Sequence, residues 1–170
     1  MPADTQSSCP GCGLVMPVRE RAVYDGYFNT SPECWTVFTE VLGAEFGNAP
    51  LFARVHQLTV DTYAVQHAGG AHPDKSIFVH LAGLHLVLDR GLVPMRVPPL
   101  LQRLARTVRE WPHFETPADL GHMTILDVAL AESATAHAEI VREWAAIVWE
   151  AWSPCRTRVA SFVTRNLVLE

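Results

Sequence analysis

The chain has 170 residues, with 13 Lys and Arg against 18 Asp and Glu, for a formal charge of −5 at pH 7. Hydrophobic residues make up 49% and charged residues 18%, and the mean hydropathy is +0.11, a balance that excludes an intrinsically disordered chain. The acidic surplus also excludes a broad nucleic-acid footprint, because phosphate contacts need Arg and Lys in excess on one face.

A chain of this length is expected to form one domain, 1–170, with a Cys-containing N-terminal segment (1–30) packed on a helical bundle (31–170). The start, MPADTQSS, lacks the basic residues and apolar run of a signal peptide. The most apolar stretch, Ile77 to Leu88, is shorter than the roughly 20 residues that span a bilayer and contains two histidines. These features predict a cytoplasmic protein with no membrane partner. In that reducing compartment four cysteines serve as metal ligands or free thiols rather than disulfides. The scarcity of charge leaves room for an apolar surface used in homodimer formation or ligand binding.

In chain order, the first thirty residues carry Cys, Gly and Pro without a sustained apolar period and read as a loop-built segment. Ser31-Pro32 supplies a capping hydroxyl before proline at a first helical position, predicting a helix from Pro32 to about Phe46 that stops at Gly47. Asn48 and Pro50 repeat the start signal for a second helix, which runs to about His67 and ends at Gly69-Gly70. From Asp74, the segment SIFVHLAGLHLVLDRG is apolar on nearly every side, which places its helix in the middle of the fold. Pro94, Pro98 and Pro99 read as a connection before a short helix from Leu100 to Glu110, on which Arg103, Arg106 and Arg109 form a solvated face. Thr124 to Ala131 is ambiguous between strand and helical turn, Ser133 to Trp152 is a long amphipathic helix, and a last helix follows Ser153-Pro154. The tryptophans at 144, 149 and 152 read as core. The fold class expected is all-α: a bundle of about five to six helices with no strand pair and an irregular, zinc-knuckle-like N-terminal cap.

The sharpest chemical signal is Cys9-Pro-Gly-Cys12-Gly13. Two thiolates spaced this way on a tight turn can hold one tetrahedral ion, and glycine admits the positive φ of such turns. A redox dithiol would sit at a helix start after a strand, whereas SSCPGCGLVMP has turn residues before the pair and proline after it. Cys34, in the first turn of the first helix, is the candidate third ligand, because the N–H dipoles there favour a thiolate. The fourth is a histidine near the glycine break or Cys155. His67 shares a stripe of the second helix with His56, Val60 and Tyr63, while His80 shares a face with Leu84 and Val87 and points about 140° away from His85. His67 is preferred, ahead of His80 and then Cys155. Three thiolates and a histidine suit zinc in a closed site.

Asp61 stands in a moderately apolar helix and needs a partner if buried, with Arg54 or Gln57 within reach on the same helix. A general base at Asp61 or His80, beside a pocket lined by Tyr63, Gln66 and Leu84, is the enzymatic alternative, with the ion keeping an open position for water. No Gly-rich phosphate loop, HExxH or serine elbow is present.

The motifs CPGCG, SPECW, VDTYAVQH, SIFVHLAGLHLVLDRG and REWAAIVWEAW, in this order, resemble a bacterial, largely actinobacterial family, domain of unknown function 5946. The resemblance implies a small cytoplasmic helical protein with Cys9, Cys12, Cys34, Asp61, Gln66, His67 and His80 at pattern positions, and it implies no activity. The chain departs from that pattern at Cys155-Arg156, where histidines are expected, and at Ala68, where a proline is usual. The expectation overall is a zinc-binding helical protein that acts by binding a protein partner or small molecule.

Overall fold

A computed structural model describes residues 5–20, 22–24 and 26–167. The chain is mostly helical, with seven α-helices and one two-stranded sheet among the described residues. The helices are α1 (Pro32–Phe46), α2 (Ala49–Gln66), α3 (Asp74–Leu84), α4 (Val97–Thr107), α5 (Ile125–Ala129), α6 (Ala134–Ala151) and α7 (Arg156–Asn166). The sheet pairs β1 (Gln6–Ser8) with β2 (Val15–Pro17), antiparallel, in the register Ser7 opposite Met16. No helix among the described residues is long and apolar enough to cross a membrane.

The helix starts follow the side chains that satisfy orphan N–H groups. Ser31 accepts from the Cys34 N–H, Asn48 from Leu51, and Ser133 from Ala136. Thr124 and Asp127 make a reciprocal capping box that turns the ambiguous 124–131 stretch into the short α5.

Three expectations need correction. The N-terminal segment is not purely loop: a hairpin brackets the cysteine turn, with strands of three residues, too short to leave an apolar period in the sequence. Pro98 and Pro99 are not a connection. They lie in the first turn of α4, where no intrahelical N–H bond is lost, so the helix begins at Val97 and ends at Thr107. The third helix also does not run evenly to Arg90. After Leu84 it widens into a π-helical turn, His85–Asp89, closed by the His85 Nδ1–Asp89 Oδ2 bond at 2.9 Å.

Helix α2 is the hub, packed on α3 and α6, while α1 lies against α2 and α5 and α4 covers α3. Helix α3 is the interior element, with Ile77, Phe78, Leu81, Ala82, Gly83 and Leu84 all buried. Trp144, Trp149 and Trp152 fill the core as expected. The Trp144 indole donates to Gln66 Oε1 at 3.0 Å, and Gln66 in turn donates to the Met123 carbonyl at 2.8 Å, tying α6, α2 and the 120–123 loop together.

One buried carboxylate ties three helices. Glu45, in the last turn of α1, is fully buried and accepts from His56 Nδ1 (2.7 Å) and Thr59 Oγ1 (2.6 Å) on α2 and from His137 Nε2 (2.9 Å) on α6. Burial alone would raise its pKa, but the bonds from His137, His56 and Thr59 outweigh it and hold the carboxyl below the usual carboxylate range. A folded-state pKa below the unfolded value means a contribution that is present above about pH 4.3 and is lost as pH falls through the folded value. Glu45→Gln should therefore cost about 3 kcal/mol in chemical denaturation at pH 7 and flatten the stability loss below about pH 4. Unchanged stability at pH 7, or an unchanged acid slope, would contradict that role.

Candidate metal centre

The hairpin loop, the start of α1 and the end of α2 meet at one point. Cys9 and Cys12 come from the turn between β1 and β2, where the Gly13 N–H bonds the Cys9 carbonyl (2.9 Å) and the Cys9 N–H bonds the Leu14 carbonyl (2.8 Å). Gly13 has φ +74°, the left-handed conformation that glycine adopts without steric cost. Cys34 is the third residue of α1, held by the Ser31 cap, with its sulfur at the positive end of the helix dipole. His67 caps the C-terminus of α2.

The ligand atoms of Cys9, Cys12, Cys34 and His67 all lie within 4.8 Å of one another, close enough to hold a metal ion. Cys12 Sγ is 3.8 Å from Cys34 Sγ, and Cys34 Sγ is 3.4 Å from His67 Nε2. Cys9, Cys34 and His67 are buried and Cys12 is partly exposed.

The surroundings orient each ligand. His67 donates from Nδ1 to the Tyr63 carbonyl at 2.7 Å, one turn back on α2, which turns Nε2 toward the sulfurs. The Tyr63 hydroxyl donates to Cys34 Sγ at 3.6 Å and lies 2.8 Å from the Thr30 hydroxyl, itself 3.4 Å from Cys9 Sγ. The Phe38, Tyr63 and His67 rings stack at centroid distances of 3.8 and 3.9 Å, walling the cluster from solvent. Asn29 seals the far side, its N–H on the His67 carbonyl at 3.0 Å and its amide on the Ala68 carbonyl at 3.3 Å. Gly11 lets the turn lie flat on His67: a Cβ there would stand 2.6 Å from His67 Cδ2.

The electrostatics favour a cation. Hydrogen bonds from Cys12 and Cys34 pull the Cys9 thiol far down, while the same kind of neighbours, Cys34 and Cys9, push the Cys12 thiol far up. Burial and the adjacent Cys34 raise the Tyr63 phenol. Burial disfavours a charged His67, yet Cys34 and Cys9 override it and lift the imidazole to about 9. Without an ion these groups compete for protons, and a divalent ion removes that competition by binding all the thiols as thiolates.

The other sequence candidates lie elsewhere. His80 Nδ1 is bonded to Asp61 Oδ1 at 2.7 Å and takes no part in the cluster. Cys155 sits in the 3₁₀ turn between α6 and α7, its thiol pushed up by burial, also outside the cluster. Among the described residues, Tyr63 and Gln66 do not bond toward His80 as the expected pocket of Tyr63, Gln66 and Leu84 required. Tyr63 turns to the cysteines and Gln66 to Trp144, because 63 and 66 lie on different sides of α2 from 61. His72 comes close without ligating: its Nδ1 is 3.2 Å from the His67 carbonyl, and burial lowers its pKa to about 4, keeping it neutral. Gly11, Asn29 and Thr30 were not anticipated. The only trace of Gly11 is its place between two cysteines.

The molecule is thus a mostly helical protein with a Cys₃His cluster able to hold a metal ion at the junction of its hairpin and bundle. The chain belongs to a family of unknown function (DUF5946), which matches it over residues 7–153. That span includes all four cluster residues together with Asp61 and His80, while Cys155 and Arg156 fall outside it. No curated protein and no solved structure matches the chain.

His67→Ala should weaken metal binding by at least the 10- to 100-fold typical of a damaged coordination shell, and Gly11→Ala should weaken it through the collision with His67. His80→Ala should leave affinity unchanged. Competition against a chromogenic chelator measures all three, and metal loss in the His80 variant with retention in the His67 variant would reverse the assignment.

Proposed function

We propose that this is a zinc-binding protein whose Cys9, Cys12, Cys34 and His67 site is closed and largely structural, and that it acts by binding a protein partner or a small molecule. The observation that carries the zinc reading is the spacing of the donors. A tetrahedral zinc with Zn–S of about 2.3 Å and Zn–N of about 2.0 Å sets sulfur pairs about 3.8 Å apart and a sulfur–nitrogen pair about 3.5 Å apart. Of the six edges, the observed 3.8 Å for Cys12–Cys34 and 3.4 Å for Cys34–His67 match these values, and all six lie within 4.8 Å. Three soft thiolates with one imidazole select zinc over harder cations.

Four protein ligands favour a structural over a catalytic ion, since catalytic zinc keeps one position for water or substrate. The role that follows is mechanical. The hairpin packs on the bundle mainly through partly buried residues such as Leu14 and Met16, so the ion is the strongest link between it and the ends of α1 and α2. Four free thiols, three of them grouped as ligands, support a reducing, cytoplasmic location. The binding role rests on the scarcity of surface charge and on an open cleft of about 290 Å³ between Tyr27, α3 and Ala105.

Protein purified without a histidine tag should carry about one zinc per chain by elemental analysis. Cys12→Ser and Cys34→Ser should each release it and expose the amides of the 5–30 segment to hydrogen exchange while helical circular dichroism persists, because the bundle has its own core. Metal-free protein with freely titrating thiols would refute the zinc reading, and complete unfolding of either variant would refute the separation of hairpin and bundle.

A further inference from the structure

Asp61 is a costly residue that the metal reading does not use. Its side chain, on α2, has no solvent exposure, and both of its donors converge on one oxygen: Gln57 Nε2 at 2.8 Å and His80 Nδ1 at 2.7 Å, each on Oδ1. The other oxygen, Oδ2, is buried without a hydrogen-bond partner among the described residues. The carboxylate has room only because residue 83 on α3 is glycine, since a Cβ there would fall within the carboxylate group. A simple tie between α2 and α3 would be met by an amide or hydroxyl at much lower desolvation cost. A carboxylate does something more for an imidazole: it holds the proton on Nδ1 and stabilises the ring when Nε2 takes a second one.

His80 is placed to use that support. Its side chain is 18% exposed, and no group among the described residues bonds its Nε2. It lines the open cleft of about 290 Å³ together with Tyr27, Lys75, Ser76 and Ala105. Lys75, the chain's sole lysine, lines that cleft, and its ammonium, 5.7 Å from the Trp111 ring centroid, sets a positive charge at the cleft's edge. Ser76, one turn before His80, lies 2.8 Å from His72 Nε2, so its hydroxyl is engaged away from His80. The nucleophile left to His80 is the water that an open cleft admits.

We propose that Asp61 and His80 form an acid–base dyad serving this cleft, with His80 as the base, Asp61 as its positioning residue, and a small, negatively charged ester or thioester as the ligand class. His80 Nε2 takes a proton from water as the water oxygen bonds to the acyl carbon. When that adduct collapses, the bond to the leaving oxygen or sulfur breaks and the imidazolium returns the proton to it, giving carboxylic acid and alcohol or thiol. Water is the only co-reactant and no oxidation state changes. General acid–base assistance alone supplies about 10²- to 10⁴-fold, which suits activated acyl groups rather than amides. The dyad makes no use of the Cys₃His ion, so its failure would leave the zinc reading intact.

The test uses the metal-loaded full chain and 4-acetoxy-3-nitrobenzoate, a chromogenic ester bearing a carboxylate. The wild type should show saturable hydrolysis, and His80→Gln should lower kcat about a hundredfold with metal content and helical circular dichroism unchanged. Asp61→Asn should lower kcat at constant KM and move the His80 proton from Nδ1 to Nε2 in nitrogen NMR, a change that a purely structural residue would not produce. Lys75→Ala should raise KM for this ester but not for neutral 4-nitrophenyl acetate. Wild-type hydrolysis no faster than that of His80→Gln, or a wild-type His80 already protonated on Nε2, would overturn the proposal, and neither result requires the Asp61 variant to fold.

Discussion

Three thiols and an imidazole held within 4.8 Å of one another, largely out of water, form an arrangement with no neutral resting place of its own. If the thiols ionise their charges repel, and if they stay protonated the cluster keeps only weak S–H bonds in a desolvated site. The surrounding groups are all set for a compact anionic cluster around a cation. Tyr63 and Thr30 turn hydroxyls to the sulfurs, α1 directs its N-terminal dipole at Cys34, and the Tyr63 carbonyl fixes the proton of His67. The position of the hairpin and the bare backbone at Gly11 fit that one arrangement.

The bundle obeys a different constraint. Its apolar helix α3 must be enclosed, and α2, α4, α6 and α7 enclose it without help from the cluster. Buried polar side chains mostly sit in bonded sets: Glu45 with His56, Thr59 and His137, Gln66 with Trp144 and the 120–123 loop, and Asp89 with His85 and Trp149. Glu33 and Asp61 each keep one carboxylate oxygen buried without a partner among the described residues, and Asp61 holds an imidazole, His80, that lines a cleft.

What the sequence disclosed was local. Caps at Ser31, Asn48 and Ser133 announce their helices because each acts on N–H groups two or three residues away. The Cys-x-x-Cys turn, Cys34 at a helix start and His67 beside a glycine break each have a local signature, so the four cluster residues were legible. Pairs set by tertiary packing were not: Glu45 meets His137 across 92 residues, and nothing near either position signals the other. Tyr63 carries an aromatic signature that fits core, pocket or sulfur contact equally well, and only the rotation of α2 decides among them. Pro98 and Pro99 misled because proline breaks a helix and begins one by the same chemistry.

The central claim is that Cys9, Cys12, Cys34 and His67 hold one ion with no position left open. X-ray absorption at the zinc edge of the isolated protein measures this directly. The account predicts three sulfur scatterers at about 2.3 Å and one imidazole nitrogen at about 2.0 Å. Two sulfurs with added oxygen or nitrogen neighbours, or no bound zinc at all, would contradict it.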